Sequence, residues 1–502
     1  MPGMNLALAF AESAAAHKGK PAIFWGEEEI TYDALLQRVQ EVGGQLQVDS
    51  AVKKGDRVAL WMKNCPDFAV GYFGILSAGG VVVPVNSFLK PEEIVHILAD
   101  AGVNVLVTER SMADGVQQLS EARKGLKAVW VEEGGSQSGT RANSSLQMTG
   151  LTEEDLAVLI YTSGTTGRSK GAMLTHGNLL SNVHSCGQVL MAVEHDSFVV
   201  LLPMFHSFMM TVGMLLPLMV GGSLLLIKSV HPPKNMIGEI MQRRATILPA
   251  VPQFFRTLAS APLPKDWPLR LCISGGAPLP AEILREFNEK MPIPLIEGYG
   301  LSEASPVVTL NPIKGPWKAG SIGTPIPGVE VSVQDDDGNT LGVGETGEIC
   351  VRGPNVMRGY WNQPSETAKA LRNGWLLTGD IGHRDADGYF FITDRKKDML
   401  LVNGINVYPR EIEECIYQFP GIKEAAVIGV PDQRKGEQPL AFVAMNESVV
   451  LDEKAFLQFL RGKLADYKVP KRVICMPALP RNATGKILKR ALREQAAKIN
   501  GN

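Results

Sequence analysis

The sequence predicts an α/β protein. It reads as a large N-terminal unit of αβ-layered parallel sheets that runs into a β-rich subdomain, followed by a small α+β unit. Three observations carry this. Between residues 20 and 310, short runs of Val, Ile and Leu alternate with segments of helical spacing, the pattern of parallel strands joined by helical crossovers. From residue 320 the texture becomes Gly-rich, with short β-like runs. After Asp394, helices and strands mix again, which places a boundary near 395–398. At 502 residues the chain exceeds one ordinary core, so two or more domains are expected.

The elements follow in order. Strands are predicted over 21–25 and 57–62. Between them, 31–46 has helical spacing, with Tyr32, Leu35, Leu36, Val39 and Val42 on one side. A helix over 66–78 leads through Gly79 and Gly80 to a strand over 81–84. A helix over 91–101 leads to a strand over 103–108. Residues 134–143 are polar and Gly-rich and read as a surface loop. Further on come a helix over 236–244, a strand over 245–250, a helix over 252–259, a strand over 271–274 and a helix over 280–290. The β-like runs are 329–334, 347–352 and 389–393. The last part reads as helix 409–418, strands 424–430 and 440–445, and helix 453–464.

Composition narrows the function class. The formal net charge is −2, so no nucleic-acid partner is expected. Six scattered cysteines with no CxxC pair argue against a zinc site or a disulfide framework, and reduced, buried thiols in a cytoplasmic protein account for them. The N-terminal apolar patch lacks a basic start and is broken by Glu12, so no secretory signal is expected. Residues 208–227 form an uncharged run of twenty, long enough to span a bilayer. Gly213, Pro217, Gly221 and Gly222 interrupt it. The prediction is therefore strand 199–202, buried helix 208–220 and strand 223–227, with no transmembrane segment. Peripheral membrane contact and a homodimer stay open.

Residues 161–171 read YTSGTTGRSKG. Gly164 and Gly167 allow a tight turn that exposes backbone N–H groups. Thr162, Ser163, Thr165 and Thr166 add hydroxyls, and Arg168 and Lys170 add positive charge. Such a loop suits a polyphosphate, although the same composition also makes a plain linker. No Gly-x4-Gly-Lys-[Ser/Thr] occurs, so the common phosphate-loop ATPase fold is not supported. The small residues Gly275, Gly276, Ala277 and Pro278 let a flat ring approach the backbone, or simply turn strand into helix. In the string Glu297-Gly298-Tyr299-Gly300-Leu301-Ser302-Glu303, Tyr299 offers a purine an aromatic face and Glu303 offers magnesium a hard oxygen. Asp380, after Thr378 and Gly379, can accept two hydrogen bonds from a ribose diol. His206 lies in an apolar run crowded by Met204, Met209, Met210, Met214 and Met219, which suits either a pocket for a floppy chain or core packing. Lys486, after Thr484 and Gly485, is expected on a mobile, exposed tip.

In this order, these stretches resemble the adenylate-forming superfamily, and within it the acyl-CoA synthetases. The resemblance covers about residues 160 to 490, and Ser302 stands where the family usually has threonine. It implies an adenylation domain over 1–395, a hinge at 396–398 that includes Lys397, and a mobile C-terminal domain over 399–502. It implies that ATP and a carboxylic acid give acyl-adenylate and pyrophosphate, after which coenzyme A gives thioester and AMP. In that reading the 162–170 loop, with Lys170, holds the phosphates. Gly276, Ala277 and Pro278, and the 297–302 string, border the nucleotide. Asp380 and Arg395 reach the ribose. Glu303 and Thr166 hold Mg2+, His206 lies beside the acyl site and Lys486 is catalytic. Gly404, in Asn403-Gly404-Ile405-Asn406, leaves room for the pantetheine arm. The expected acid is a medium- or long-chain fatty acid. An aromatic acid of the benzoate or cinnamate type, or transfer to a carrier protein, is the alternative.

Overall fold

The computed structural model describes residues 4–131, 150–163, 169–230, 232–261, 266–432, 434–447, 449–482 and 485–500. The expected surface loop at 134–143, and Gly164, Thr165, Thr166, Gly167 and Arg168, lie outside these residues. One sheet has fourteen strands, thirteen along its main path and Leu371–Arg372 paired beside Trp375–Arg384. It passes from Glu330–Gln334 through Gly347–Arg352, Trp375–Arg384, Phe390–Arg395, Ser321–Pro325 and Val307–Leu310 to Leu295–Gly300. It then continues through Leu271–Ser274, Ile247–Ala250, Ser197–Val200 and Ser223–Leu226 to Pro21–Trp25 and Glu28–Thr31. From Leu295–Gly300 to Pro21–Trp25 the pairs are parallel; from Val307 onward they are antiparallel. The β-rich part is thus one continuous path with the parallel sheet, joined at Leu295–Gly300.

A second, six-stranded sheet holds Lys127–Trp130, Val105–Thr108, Arg57–Trp61, Val81–Pro84 and Leu156–Ser163 in parallel. Its last strand, Ser169–Thr175, runs antiparallel to Leu156–Ser163. The segment 161–171 thus ends one strand and begins the next, and the second of these is a strand that the sequence alone did not mark. The third sheet is built from Leu400–Val402, Ile405–Val407, Ile422–Asp432, Gly436–Met445 and Val473–Cys475, and has its own apolar core around Ile412, Val427, Phe456 and Leu460.

Local chemistry sets the helix starts. Thr31 accepts from Ala34 N and begins helix Tyr32–Val48. Thr175 and Asn178 satisfy each other's backbone N–H at 3.1 and 2.9 Å, a capping box at helix His176–Val189. Proline opens helices Pro66–Ser77, Pro91–Asp100 and Pro252–Ser260, where its missing N–H costs nothing. The N-terminal apolar patch is helix Leu6–Ala16, capped by Asn5, with Phe10 stacked 4.2 Å from Phe73.

The uncharged run resolves into a π-helical stretch, Met209–Leu215, that continues as Leu216–Val220 and stops at Gly221 with φ +80°. Strand Ser223–Leu226 follows. Among the described residues, no helix is long and apolar enough to cross a membrane. All six cysteines are free. Cys186, Cys272 and Cys350 are buried, but Cys65 and Cys415 are half-buried and Cys475 is exposed, so burial holds for only part of the set.

At Gly323 two strand partners close in. Its φ is +89°, and a Cβ there would lie 2.1 Å from the Leu310 carbonyl carbon. Gly323→Ala is expected to destabilise the protein by about 2 kcal/mol or more, from left-handed strain plus the clash. A thermal melt checks this, and an unchanged midpoint would show that the strand gives way freely.

Candidate active site

The parallel strands of the large sheet deliver their following loops to one edge. Strand Ser197–Val200 leads to His206, Ile247–Ala250 to Val251, Leu271–Ser274 to Gly276, and Leu295–Gly300 to Glu303. Ligands of open α/β sheets bind at such carboxyl ends.

Two neighbouring antiparallel strands, Trp375–Arg384 and Phe390–Arg395, set Asp380 directly opposite Arg395. Arg395 Nε lies 3.0 Å from Asp380 Oδ1, and the Tyr299 hydroxyl donates to Oδ2 at 2.6 Å. Asp380 is only 3% exposed. Burial and this carboxylate push the Tyr299 phenol well above its ordinary pKa. The turn before Asp380 is also pinned: Asp380 N donates to Thr378 Oγ1 at 3.1 Å, and Thr378 Oγ1 donates to the Ile349 carbonyl at 2.7 Å.

Lys486 reaches this pair. It sits on a tight reversal in which Asn482 N donates to the Lys486 carbonyl and Lys486 N donates to Asn482 Oδ1, both at 2.9 Å. Arg481, ion-paired to Glu424 at 3.0 Å, holds the base of that reversal. Lys486 is half-buried, which corrects the expected exposure. Burial lowers the Lys486 pKa to about 8, and the charge of Arg395 adds to the effect. His206 is lowered to about 4, by burial first and by Lys486 second. Its imidazole is therefore neutral near pH 7, and its Nδ1 accepts from Phe208 N at 3.3 Å.

A second group forms around Glu303. Its Oε1 accepts from the Tyr360 hydroxyl at 2.9 Å and from Thr162 Oγ1 at 3.4 Å. Lys170, opposite Thr162 in the hairpin, lies 5.2 Å above the Tyr360 ring and pairs with Glu366. That lysine was expected among the phosphate contacts; here its charge is matched by Glu366 of helix Pro364–Ala370. Ser302 meets Ser207 at 3.0 Å. No cluster of three or more acid, histidine or cysteine side chains suits a metal among the described residues. Magnesium needs none, since it keeps waters and takes one or two carboxylates plus phosphate oxygens, so Glu303 fits it.

Other expected residues fall differently. Gly276 has φ +77° and is exposed, beside half-buried Ala277 and exposed Pro278, which leaves their backbone open to a ligand. Glu297 is buried behind this turn. Its Oε1 accepts from Leu279 N at 3.0 Å, and burial pushes its carboxyl up to about 7, so its side chain supports the turn rather than facing outward. At Gly300 a Cβ would lie 2.1 Å from the Pro306 carbonyl oxygen, and at Gly298 one would lie 2.4 Å from Leu310 Cδ2, so both glycines serve packing. Met204, Met209, Met210 and Met214 are fully buried in the main core, the packing alternative to an open pocket, while Met219 packs against it. Asn403 and Gly404, both with positive φ, form the two-residue turn between strands Leu400–Val402 and Ile405–Val407. Lys397 is exposed in the turn after Arg395. Tyr360, Glu366 and Ser207 were missed. They lie far from their partners in sequence, and no spacing rule links them.

The chain matches the family model of AMP-binding enzymes over residues 10–361 and that of the AMP-binding enzyme C-terminal domain over 411–486. It is 35% identical to a long-chain-fatty-acid–CoA ligase of Bacillus subtilis (strain 168) over 534 aligned residues, covering 99% of this chain and 95% of that one. It is 37% identical to a feruloyl-CoA synthase of an Amycolatopsis species, covering 94% and 95%. ATP-bound MatB from Rhodopseudomonas palustris superposes with a TM-score of 0.89 at 36% identity, covering 99% of this chain and 100% of that one; the apo form of the same protein superposes at 0.77.

Lys486 carries its charge below its pKa and loses it above. ATP–pyrophosphate exchange, read as kcat/KM, is therefore expected to fall about tenfold per pH unit above about pH 8. In Lys486→Arg that limb moves out of the measurable range, because a guanidinium stays charged. A flat wild-type profile, or the same limb in the arginine variant, contradicts the assignment.

Proposed function

The chain belongs to the AMP-binding enzyme family, as an AMP-forming acid–thiol ligase that uses ATP, magnesium and coenzyme A, and from that premise we propose that it activates a medium- or long-chain fatty acid. The observation that carries the chemistry is the convergence of Tyr299, Asp380, Arg395 and Lys486 from separate elements on one edge of the sheet.

In the first half-reaction an acid oxygen bonds to the α-phosphorus of ATP and the bond to pyrophosphate breaks. Asp380, fixed by Tyr299 and Arg395, keeps lone pairs for ribose hydroxyls. Lys486 places positive charge where negative charge builds between carboxylate and phosphate, a contribution of about 2.7–4 kcal/mol for groups of this kind. His206, neutral, donates one ring N–H toward the acyl side while its Nδ1 is held by Phe208 N. Glu303, braced by Tyr360, would hold magnesium, which supplies charge neutralisation on the phosphates when bound; Thr166 is the second proposed ligand. The remaining nucleotide contacts are assigned to 162–170 and to Gly276, Ala277 and Pro278.

The second half-reaction forms the thioester bond and releases AMP. We assign it to a second pose of residues 399–502 relative to 1–395, with 396–398 as the hinge. Both flanks of Lys397 are anchored. Lys396 N donates to the Gly379 carbonyl at 2.9 Å, and Lys396 Nζ pairs with Asp336 at 2.7 Å. Asp398 pairs with Arg493 at 2.6 Å. Exposed Lys397 is left to absorb the change in φ and ψ. The better superposition on the ATP-bound relative supports reading the observed pose as the adenylating one.

The choice of acid rests on the apolar segment behind His206, which has no Lys or Arg from 199 to 227. Its buried methionines are adaptable thioethers that can yield to a flexible tail. The full-length similarity to a long-chain-fatty-acid–CoA ligase agrees. The feruloyl-CoA synthase keeps an aromatic acid as the second reading. Pyrophosphate release across acids, with and without coenzyme A, tests both. Each buried methylene contributes about 0.8 kcal/mol, so kcat/KM is expected to rise severalfold per two-carbon extension until the site is filled. Ferulate or benzoate as the best substrate overturns the fatty-acid reading, and acyl-adenylate that never passes to coenzyme A points to a carrier protein.

A further inference from the structure

Helix Pro252–Ser260 meets the C-terminal part of the chain at two points. The first is its N-cap, Val251, whose two methyl groups lie between two glycines. A Cβ on Gly276 would come 3.9 Å from Val251 Cγ1, and one on Gly485, next to Lys486, 3.4 Å from Cγ2. The second is Arg256. Its Nη1 donates to the carbonyls of Ile422 and Lys423, both at 3.0 Å. Its Nε and Nη2 donate to the two oxygens of Glu286, on helix Ala281–Lys290, each at 3.2 Å. A guanidinium is a rigid planar fork, so a bidentate partner on one edge fixes the direction of the donor on the other. Glu286 therefore aims Arg256 across the gap.

The far end of this contact is well placed to carry force. Ile422 opens the strand Ile422–Asp432 and is buried in the core of the third sheet, so holding its carbonyl holds that sheet as a body. The acceptors are backbone oxygens, and they are found only if the sheet sits at the right place. Two further contacts cross in the same region: Ala281 N donates to Glu414 Oε2 at 3.4 Å, and Arg410 Nη1 donates to the Ile392 carbonyl at 2.9 Å. Ile392 lies only four residues before the hinge at 396–398, so the Arg410 contact starts close to the hinge in the chain, whereas Arg256 is remote from it.

We propose that Arg256 and Glu286 form a pose-selective latch, which holds the C-terminal part where Lys486 reaches Asp380 and Arg395 and must open before the thiol step. The proposal rests on the two-pose reading given above. Neither residue touches the reacting groups; both act by positioning.

The test compares two half-reactions in the full-length enzyme: ATP–pyrophosphate exchange, and thioester formation from supplied acyl-adenylate and coenzyme A. Arg256→Met is expected to lower exchange about tenfold, the weight of a hydrogen-bonded charged group, while the thiol step is unchanged or faster. Glu286→Gln is expected to shift the same ratio in the same direction by less. If Arg256→Met does not fold, Arg256→Lys, which keeps the charge and loses the fork, is read by the same ratio. A ratio equal to wild type, whether both halves hold or both fall, overturns the latch. Lys397→Pro is measured in parallel, because fixing φ at the hinge should spare exchange and slow the thiol step. If that variant shows no split, the two-pose reading fails; if it splits and the Arg256 variants do not, only the latch fails.

Discussion

A buried carboxylate needs its charge paired and its oxygens hydrogen-bonded, and Asp380 has both, from Arg395 at 3.0 Å and from the Tyr299 hydroxyl at 2.6 Å. Much of the site depends on that arrangement. The register of two antiparallel strands puts Asp380 opposite Arg395, and Tyr299 comes from the strand where the sheet changes from parallel to antiparallel pairing. One carboxylate thus ties the β-rich part to the parallel part at the edge where the loops gather. The same ion pair also sets the environment of Lys486. Arg395 opposes the lysine charge and Asp380 supports it, and with burial they leave an amine of lowered pKa facing a neutral His206.

The second constraint is that the charge of Lys170 is already balanced before any ligand arrives. Lys170 is paired with Glu366 and stacked on Tyr360, whose hydroxyl holds Glu303. Glu366, Lys170, Tyr360 and Glu303 therefore form a continuous chain of contacts. A polyanion entering here competes with Glu366 for Lys170, while a cation at Glu303 draws on an oxygen that Tyr360 and Thr162 already orient. Matched charges of this kind avoid the cost of an unpaired buried ion.

Much of the fold was legible because the elements obey local rules. Proline at the first helical position, threonine caps and Val-rich runs place most helices and strands within two or three residues of their observed ends. Helix Leu6–Ala16 escaped because its Ala-rich pattern shows no clear polar face, and Ser169–Thr175 because the glycine-rich turn drew attention from the strand behind it. In the candidate site, the motifs named Asp380, Arg395, Tyr299, Glu303 and Lys486, of which the fold puts Asp380, Arg395 and Tyr299 in direct contact. They did not tell facing residues from supporting ones: Glu297 belongs to the same string as Tyr299, yet its carboxylate is spent on Leu279 N. Tyr360, Glu366 and Arg256 were invisible because their partners lie from 57 to 196 residues away in the chain, and only the folded register brings them together. The methionines near His206 show the limit of composition, since the same five residues describe a pocket or a core, and four of them are fully buried.

Lys486 is assigned to one step and not to the other. The most direct measurement is therefore Lys486→Ala assayed separately for acyl-adenylate formation and for thioester formation from supplied acyl-adenylate. Loss of about 2.7–4 kcal/mol of transition-state stabilisation corresponds to a fall of roughly 100- to 1,000-fold in the first step. That fall is expected with the second step near wild type. Equal loss in both steps, or an unaffected first step, contradicts it.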